Sequence, residues 1–495
     1  MKKYPIKSRN YFWDYYKLPH LDKEIPMKRI RVFLCLALLS ISLWAGLHHT
    51  VHANELTPLS LLDINSLPAV ATDGNDNFTI TWGYLGLGHL PGILAKRYDA
   101  TGEPIDTTEF WVNSSSILEA LINYDPDIAI DSSNNAVIAW CSYGLMASES
   151  NVQVTYTKIP DPTPPIEEVI EPEKFSEIKP QQSEGAGNPL SIPMTPAIAV
   201  DDSDNIAIVW SYLDLGIRES GIKLAIVDSG GTAGAPVTVV SNIIDSLEGI
   251  FRVNQSITEP VFYHSPDIAI DGEGNIVVTW TASGLLPFFN STVELPLTAI
   301  YYSKFTSSGA VVSGYEKQLV DVGFNSTVAV HDDRMIIAWN VIDLFSLKVR
   351  IMASVFGGEI MSSDGPIKLG TRSGYSPSAF VDAGNYLLNT GIDVAADANG
   401  NFFVTWGGSN VLNSHIYLKE IYADGGSLSN EIQISQGFDS NKSPSIAIDT
   451  QGNIIVTWNR VSPIDLLSGM SSIVARRYDN NLQALGDEFK VNLSY

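Results

Sequence analysis

Along most of this chain apolar residues alternate with small or polar ones at a period of two, the spacing of half-buried β-strands rather than of helices. One template organises the alternation: an apolar run, a polar turn rich in Asp, Gly and Asn, a second β-branched run and a tryptophan. PSIAIDTQGNIIVTW, from Pro444 to Trp458, is a clean copy. PAVATDGNDNFTITW ends at Trp82, PDIAIDSSNNAVIAW at Trp140, PAIAVDDSDNIAIVW at Trp210 and PDIAIDGEGNIVVTW at Trp280. Looser copies, STVAVHDDRMIIAW and IDVAADANGNFFVTW, end at Trp339 and Trp406. The turn sets an Asp ahead of backbone N–H groups and supplies Gly or Asn where φ must be positive, so each copy predicts a tight hairpin.

Each hairpin opens a longer unit. After Trp458 come SIVARRYD, a turn and EFKVN; after Trp82 come GILAKRYD, ATGEPIDTT and EFWVN. Four antiparallel strands per unit, with tryptophans 52 to 70 residues apart, fit a propeller blade and not an immunoglobulin-like sandwich, which needs about seven strands in about 100 residues. The expected fold is all-β: a single seven-bladed β-propeller over residues 54–495. Its first unit begins on a first strand and its last ends on a fourth, so in-phase closure with no strand borrowed across the seam is expected, with residues 54–66 left open as an added edge strand.

Two stretches break the pattern. Lys28, Arg29 and Arg31 precede an apolar run from Val32 to Leu47 and the small-x-small triplet Val51-His52-Ala53. Residues 1–53 therefore read as a leader with a secretory signal, starting at Met27 and cleaved after Ala53, the run being shorter than the ~20 residues a spanning helix needs. No membrane insertion is expected after cleavage, and the destination is secreted, periplasmic or cell-surface. Residues 158–196 are rich in Pro and Glu and poor in large apolar side chains, which predicts an extended excursion from the second unit. Cys35 falls inside the leader, so Cys141 is the one cysteine of the mature chain and no internal disulfide is expected.

Charge narrows the partners. Against 30 Lys and Arg stand 55 Asp and Glu, a net charge of −25, which repels nucleic acid and anionic lipid. A protein or glycan is the expected ligand, and the oligomeric state is open.

Candidate chemistry is expected where chain length varies. One end of the ring carries short uniform turns. The other carries the segments after the tryptophans and the connections between units, which are apolar and aromatic for loops, with Leu85, Leu213, Leu286 and Leu344 expected to tuck between blades. Tyr84, His89, Tyr212, Arg218, Arg252, His264, Asp393 and Arg460 are the ligand-binding candidates of that face. Asp127, Asp267 and Asp393 share one template position at the entry of the first strand. They either converge on the axis as a cation site, leaving room for Ca2+, or accept N–H groups at the strand start. If the protein is an enzyme, Asp127 and Asp267 with Tyr124 or Tyr263 are the catalytic candidates, as carboxylates facing each other at roughly 5–10 Å. Asp73, Asp131, Asp201, Asp271, Asp397 and Asp449 read as turn caps and lack the terminal Glu of a calcium loop. No G-x-S-x-G, H-E-x-x-H or phosphate-loop motif is present and no metal ligand set is spaced for one.

The repeating unit resembles the blades of the sialidase-like, Asp-box repeat propellers. RYDATGEP from Arg97 and IVDSGGTA from Ile226 come nearest to that superfamily's Ser-x-Asp-x-Gly-x-Thr-Trp box, which is not intact here. The resemblance implies the fold. An arginine triad, catalytic acid and Tyr-Glu pair do not map onto residues of this chain, so it does not imply the activity. Three functions remain: an exported propeller binding a protein or glycan through its loop face; a carbohydrate-active hydrolase or lyase with axial carboxylates; and a structural surface protein.

Overall fold

Hairpin pairing is local, and it follows the template copy by copy. The computed structural model describes residues 63–86, 91–113, 122–143, 152–159, 191–214, 217–243, 260–287, 294–343, 348–357, 361–362, 365–366, 389–409, 413–422, 429–462 and 470–492. All regular structure among them is β. In chain order the strands are β1 (Asp63–Thr72), β2 (Phe78–Gly86), β3 (Gly92–Tyr98) and β4 (Phe110–Trp111), then β5 (Ile122–Ile130), β6 (Ala136–Tyr143) and β7 (Val152–Ile159). The third and fourth groups are β8 (Ser191–Val200), β9 (Ile206–Asp214), β10 (Glu219–Val227), β11 (Val237–Ile243), and β12 (Pro260–Ile270), β13 (Ile276–Pro287), β14 (Glu294–Phe305), β15 (Gln318–Val322). The fifth comprises β16 (Phe324–His331), β17 (Arg334–Asp343) and β18 (Lys348–Phe356), followed by the small pair β19 (Met361–Ser362) and β20 (Gly365–Pro366). The last two are β21 (Asn389–Ala396), β22 (Phe402–Ser409), β23 (Ser414–Ile421), β24 (Ile432–Gln433), and β25 (Ser440–Ile448), β26 (Ile454–Val461), β27 (Ser472–Tyr478), β28 (Phe489–Lys490).

Each group is an antiparallel sheet in sequential order, four-stranded except β5–β7 and β16–β18, where three strands are described; a single parallel bridge, Ser414 to Ser440, links the last two. The strands of the first sheet all come from one end of the described chain and those of the last from the other. First strands touch in succession: β1 with β5, β5 with β8, β8 with β12, β12 with β16, β16 with β21, β21 with β25, and β25 with β1 again.

Burial explains the succession. A sheet of four short strands cannot cover both faces alone, and each apolar cluster here lies between two consecutive sheets. Trp140, with Ile128 and Ile138, packs on Ile93, Ala95 and Val112 of the sheet before. Trp458, with Ile454 and Val456, packs likewise on Ile416, Leu418 and Ile434. The cluster around Trp82 and Phe78 is completed by Ile455, Ile473 and Val491 from the other end of the chain. A buried indole removes roughly 150–250 Å² from water, which at about 25 cal/mol per Å² stabilises each contact by ~4–6 kcal/mol.

The template's turn works by capping. Oδ1 of Asp449 accepts the N–H groups of Gln451 at 3.0 Å and Asn453 at 2.7 Å, and Asp73, Asp131, Asp201, Asp271 and Asp397 do the same two and four residues ahead. Where the left-handed turn residue is Asn or Asp instead of Gly, its side chain also reaches a neighbouring sheet's turn. Asn134 Oδ1 accepts from Gly74 N–H, Asp204 from Ser132 N–H, and Asp76 from Thr450 N–H, at 2.7–2.8 Å.

Two expectations need correcting. The stretches after the tryptophans begin as strand, not loop: β2 runs four residues past Trp82 and β13 seven past Trp280, because β3 and β14 continue to pair with them, as in Tyr84 to Gly92 and Pro287 to Glu294. Leu85 and Leu213 are therefore strand residues, half-buried, and Leu286 also lies on a strand; Leu344 lies outside the described residues. The stretch 158–196 is strand at both ends, in β7 and β8, and its middle, including the EEVIE run, lies outside the described residues, as do the leader, His89 and Arg252.

Candidate functional site

A first strand pairs on one side only within its sheet, so its other edge carries an unpaired row of N–H and C=O groups facing the neighbouring first strands, where each donor needs an acceptor. The three template aspartates supply acceptors. Asp127 Oδ2 accepts Ile198 N–H of β8 at 2.8 Å. Asp267 Oδ2 accepts Val328 N–H and the Thr327 hydroxyl of β16, both at 2.8 Å, and its Oδ1 accepts Ile268 N–H at 2.8 Å. Asp393 Oδ2 accepts Ile446 N–H of β25 at 2.9 Å, and its Oδ1 accepts Val394 N–H at 2.8 Å. At the seam Ser445 Oγ accepts Val70 N–H at 3.3 Å. Each carboxylate thus clasps its own strand to the next one.

The clasp has an electrostatic cost. Water reaches part of each carboxylate, but the crowding strands strip most of its hydration, and burial pushes Asp127 and Asp393 up to about 7. The negative charge of Asp267 contributes to both rises, and the N–H donors oppose them. Burial raises Asp267 too, against the same kind of donors. Thr327 Oγ1, 2.8 Å from Asp267 and 3.4 Å from Asp393, stands between two of the acids. No group of three His, Cys, Asp or Glu side chains fit to hold a metal occurs among the described residues.

Directly ahead of these acids every first strand is bulged. Register shifts fall between Ser66 and Ala69, Tyr124 and Asp127, Met194 and Ala197, His264 and Asp267, Phe324 and Thr327, Asn389 and Ile392, and Lys442 and Ser445. Leu67, Asp125, Thr195, Ser265, Asn325 and Ser443 adopt φ between 45° and 54° there, and Gly391 sits at 121°. Five of the six non-glycine residues precede proline, which adds to the strain of that conformation. Burial pushes Asp125 up to about 6 against an N–H bond from Thr195.

The sequence candidates separate accordingly. Asp127, Asp267 and Asp393 lie close enough to one another to interact electrostatically, on the edges of adjoining first strands. The strand positions of Tyr84, Tyr212 and Tyr263 turn them between sheets: Tyr84 edges onto Trp111 with centroids 5.6 Å apart, Tyr212 donates its hydroxyl to Glu219, and Tyr263 is 2% exposed with Lys317 at its hydroxyl. Tyr124 is half-buried, and desolvation raises its phenol. Arg460 is taken up by Glu488 and, at 3.6 Å, by Asp439. Arg218 is exposed in a left-handed conformation. His264 is hydrogen-bonded on both ring nitrogens, to Ser265 Oγ at 3.1 Å and Ser283 Oγ at 2.7 Å, and burial lowers it to about 4.

Several residues of this rim were not singled out from sequence. Asn65, Asn123 and Asn441 each lie 17 residues before a tryptophan and accept its indole N–H at 2.8–3.0 Å. An Asn three residues ahead of the template proline was the available signal. Lys442 is half-buried with its ammonium lowered by burial, and it has no ion-pair partner among the described residues. Its oddity in an acidic chain becomes visible only once its surroundings are known.

No protein-family model matches the chain, and no curated protein sequence does. Among solved structures, similar chains include an ulvan lyase of a new polysaccharide lyase family, bound to a glucuronate-rhamnose-sulfate disaccharide unit. It is 12% identical with a TM-score of 0.48, covering 83% of this chain and 99% of that one. A sialidase from Trypanosoma rangeli is 11% identical with a TM-score of 0.40, covering 85% and 56%. A protein of unknown function from Dyadobacter fermentans is 12% identical with a TM-score of 0.42, covering 73% and 94%. Sialidases and polysaccharide lyases thus stand among the neighbours, at identities and scores that say nothing of this chain's chemistry.

Proposed function

We propose that this chain is an exported seven-bladed β-propeller that binds a protein or glycan partner through the face where its units are joined. The observation that carries the reading is the shared bulge. Seven first strands kink at the same height on the side from which the connecting segments enter, and they hold non-glycine residues in a conformation that costs of order 1 kcal/mol or more each. Bulges placed this way re-aim side chains at a rim; here Asp125, Thr195, Ser265 and Asn325 are re-aimed, and Lys442, next to the bulge residue Ser443, adds a cation with no ion-pair partner among the described residues. The opposite end, with its repeated Asp-capped turns, offers the same surface from six units and reads as scaffold. Succession of contacts from β1 round to β25 and back supports the ring.

The carbohydrate-active enzyme reading is the weaker of the two, because the oxygens of Asp267 and Asp393 are committed to N–H donors. Export to the cell surface, periplasm or medium follows from the leader. A glycan array and a pull-down with surface extract test the binding reading. Replacing the connections between units by Gly/Ser should abolish every ligand that the intact protein retains, and unchanged retention would overturn the assignment of the face.

A further inference from the structure

We infer that Ser283 is a nucleophile activated by His264, forming an acyl-transfer site for simple acyl esters on the same bulged rim that carries the proposed binding face. The hydrogen bonds fix a direction. Ser265 donates its hydroxyl proton to Asn325 Oδ1 at 3.1 Å, so toward His264 it can only accept, and Nδ1 carries the ring proton. Nε2 is then bare and accepts the Ser283 hydroxyl at 2.7 Å. A serine donating to a bare imidazole nitrogen, whose other nitrogen is held by a third group, is the arrangement of an activated hydroxyl. Phe262, stacked on the imidazole at 5.5 Å between centroids, holds the ring in plane.

The parts come from three places that sequence order hides. His264 and Ser265 flank the register shift in β12, Ser283 stands across the hairpin on β13, and Asn325 belongs to β16 of the next sheet. The left-handed φ of Ser265, 48°, is what aims its hydroxyl at Asn325. Burial alone lowers His264, to about 4. β13 presents Ser283 to the ring and β16 presents Asn325. The nearest acid along β12, Asp267, is turned to the N–H groups of Ile268 and Val328.

The step balances without a co-reactant beyond water. Ser283 Oγ attacks the ester carbon as its proton passes to Nε2, the acyl-oxygen bond breaks, and Nε2 returns that proton to the departing alkoxide. Water repeats the sequence on the acyl-serine and releases the carboxylic acid, restoring both residues.

Full-length protein treated with a fluorophosphonate probe, followed by peptide mass spectrometry, tests the site. Ser283 should be modified at least tenfold faster than any other serine, Ser283→Ala should abolish labelling, and His264→Gln should lower it at least tenfold with an unchanged melting temperature. Ser265→Ala, which removes only the positioning contact, should lower it less. Because the imidazole stays neutral, the rate should hold from pH 8 to pH 5.5 and not halve near 6.5. If a melting transition shows His264→Gln to be unfolded, Ser283→Cys alkylated by iodoacetamide, with and without His264→Asn, gives the same comparison. Folded protein whose Ser283 is modified no faster than other serines, or a folded His variant labelled at the parent rate, would overturn the inference.

Discussion

Replacing Asp393 by alanine should destabilise the protein by an amount that shrinks as pH rises. The carboxylate accepts Val394 N–H on one oxygen and Ile446 N–H on the other. Alanine strands both donors, at about 1–3 kcal/mol apiece for buried groups, so the expected loss is ~2–6 kcal/mol while the side chain is neutral. Ionisation works against the wild type. Its folded value is about 7 against 3.8 for the free side chain, so between those pH values the folded carboxyl holds a proton that the unfolded one has released. Stability is therefore greatest below 3.8 and falls as pH rises through about 7. At 1.36 kcal/mol per pH unit, full ionisation removes up to ~4 kcal/mol, and about half of that is removed above pH 5.5. The alanine variant has no such term, so its penalty should narrow by ~2 kcal/mol between pH 5.5 and 8.5. Urea unfolding followed by tryptophan fluorescence across that range measures it, the lower limit being set by the isoelectric point near 4.6. A penalty that is flat or grows with pH would show that the carboxylate is not the desolvated clasp described here.

Asn441→Ala should cost ~1–3 kcal/mol, because it removes the acceptor of the buried Trp458 indole N–H; chemical denaturation reads this, and Asn441→Asp should recover part of it. Trp458→Ala should cost ~3–5 kcal/mol by opening a cavity between the last two sheets. Asp449→Ala should cost ~1–2 kcal/mol through loss of the turn's two N–H contacts, whereas Asp479→Ala, in an exposed turn with the same pattern, should cost less. His264, lowered to about 4 against 6.5, stays neutral where the unfolded side chain is charged, so it should subtract stability as pH falls from 6.5 toward 4. NMR titration of its ring protons, with a midpoint near 6.5, would contradict the burial.

How much of this could be read beforehand depended on whether the cause was local. The two-residue alternation, the Asp that caps its own turn and the recurring tryptophan act within some 15 residues, and they foretold hairpins, turn chemistry and a four-stranded unit wherever four strands are described. Asp127, Asp267 and Asp393 were legible as equivalent, since one template position carries all three, and one of their two foreseen roles was hydrogen-bond acceptance. Their donors were not legible: Ile198, Val328 and Ile446 lie 53 to 71 residues further on, and no periodicity links an acid to the backbone of the next unit. The burial of Tyr84, Tyr212 and Tyr263 between sheets was not legible for the same reason. Following a tryptophan or preceding a proline places a residue near the rim, but the pleat decides whether its side chain turns outward or between sheets.

By itself the sequence determined what each unit is, because strand pairing and turn capping are satisfied by neighbours in the chain. Only the tertiary structure decided what stands at the centre. The exposed edge of a first strand has no partner in its own sheet, so its N–H groups draw on the carboxylates of the adjoining one. The same approach of sheets raises Asp127 and Asp393 to about 7, lowers the Lys442 ammonium by burial and brings Ser283, His264, Ser265 and Asn325 into one hydrogen-bonded row.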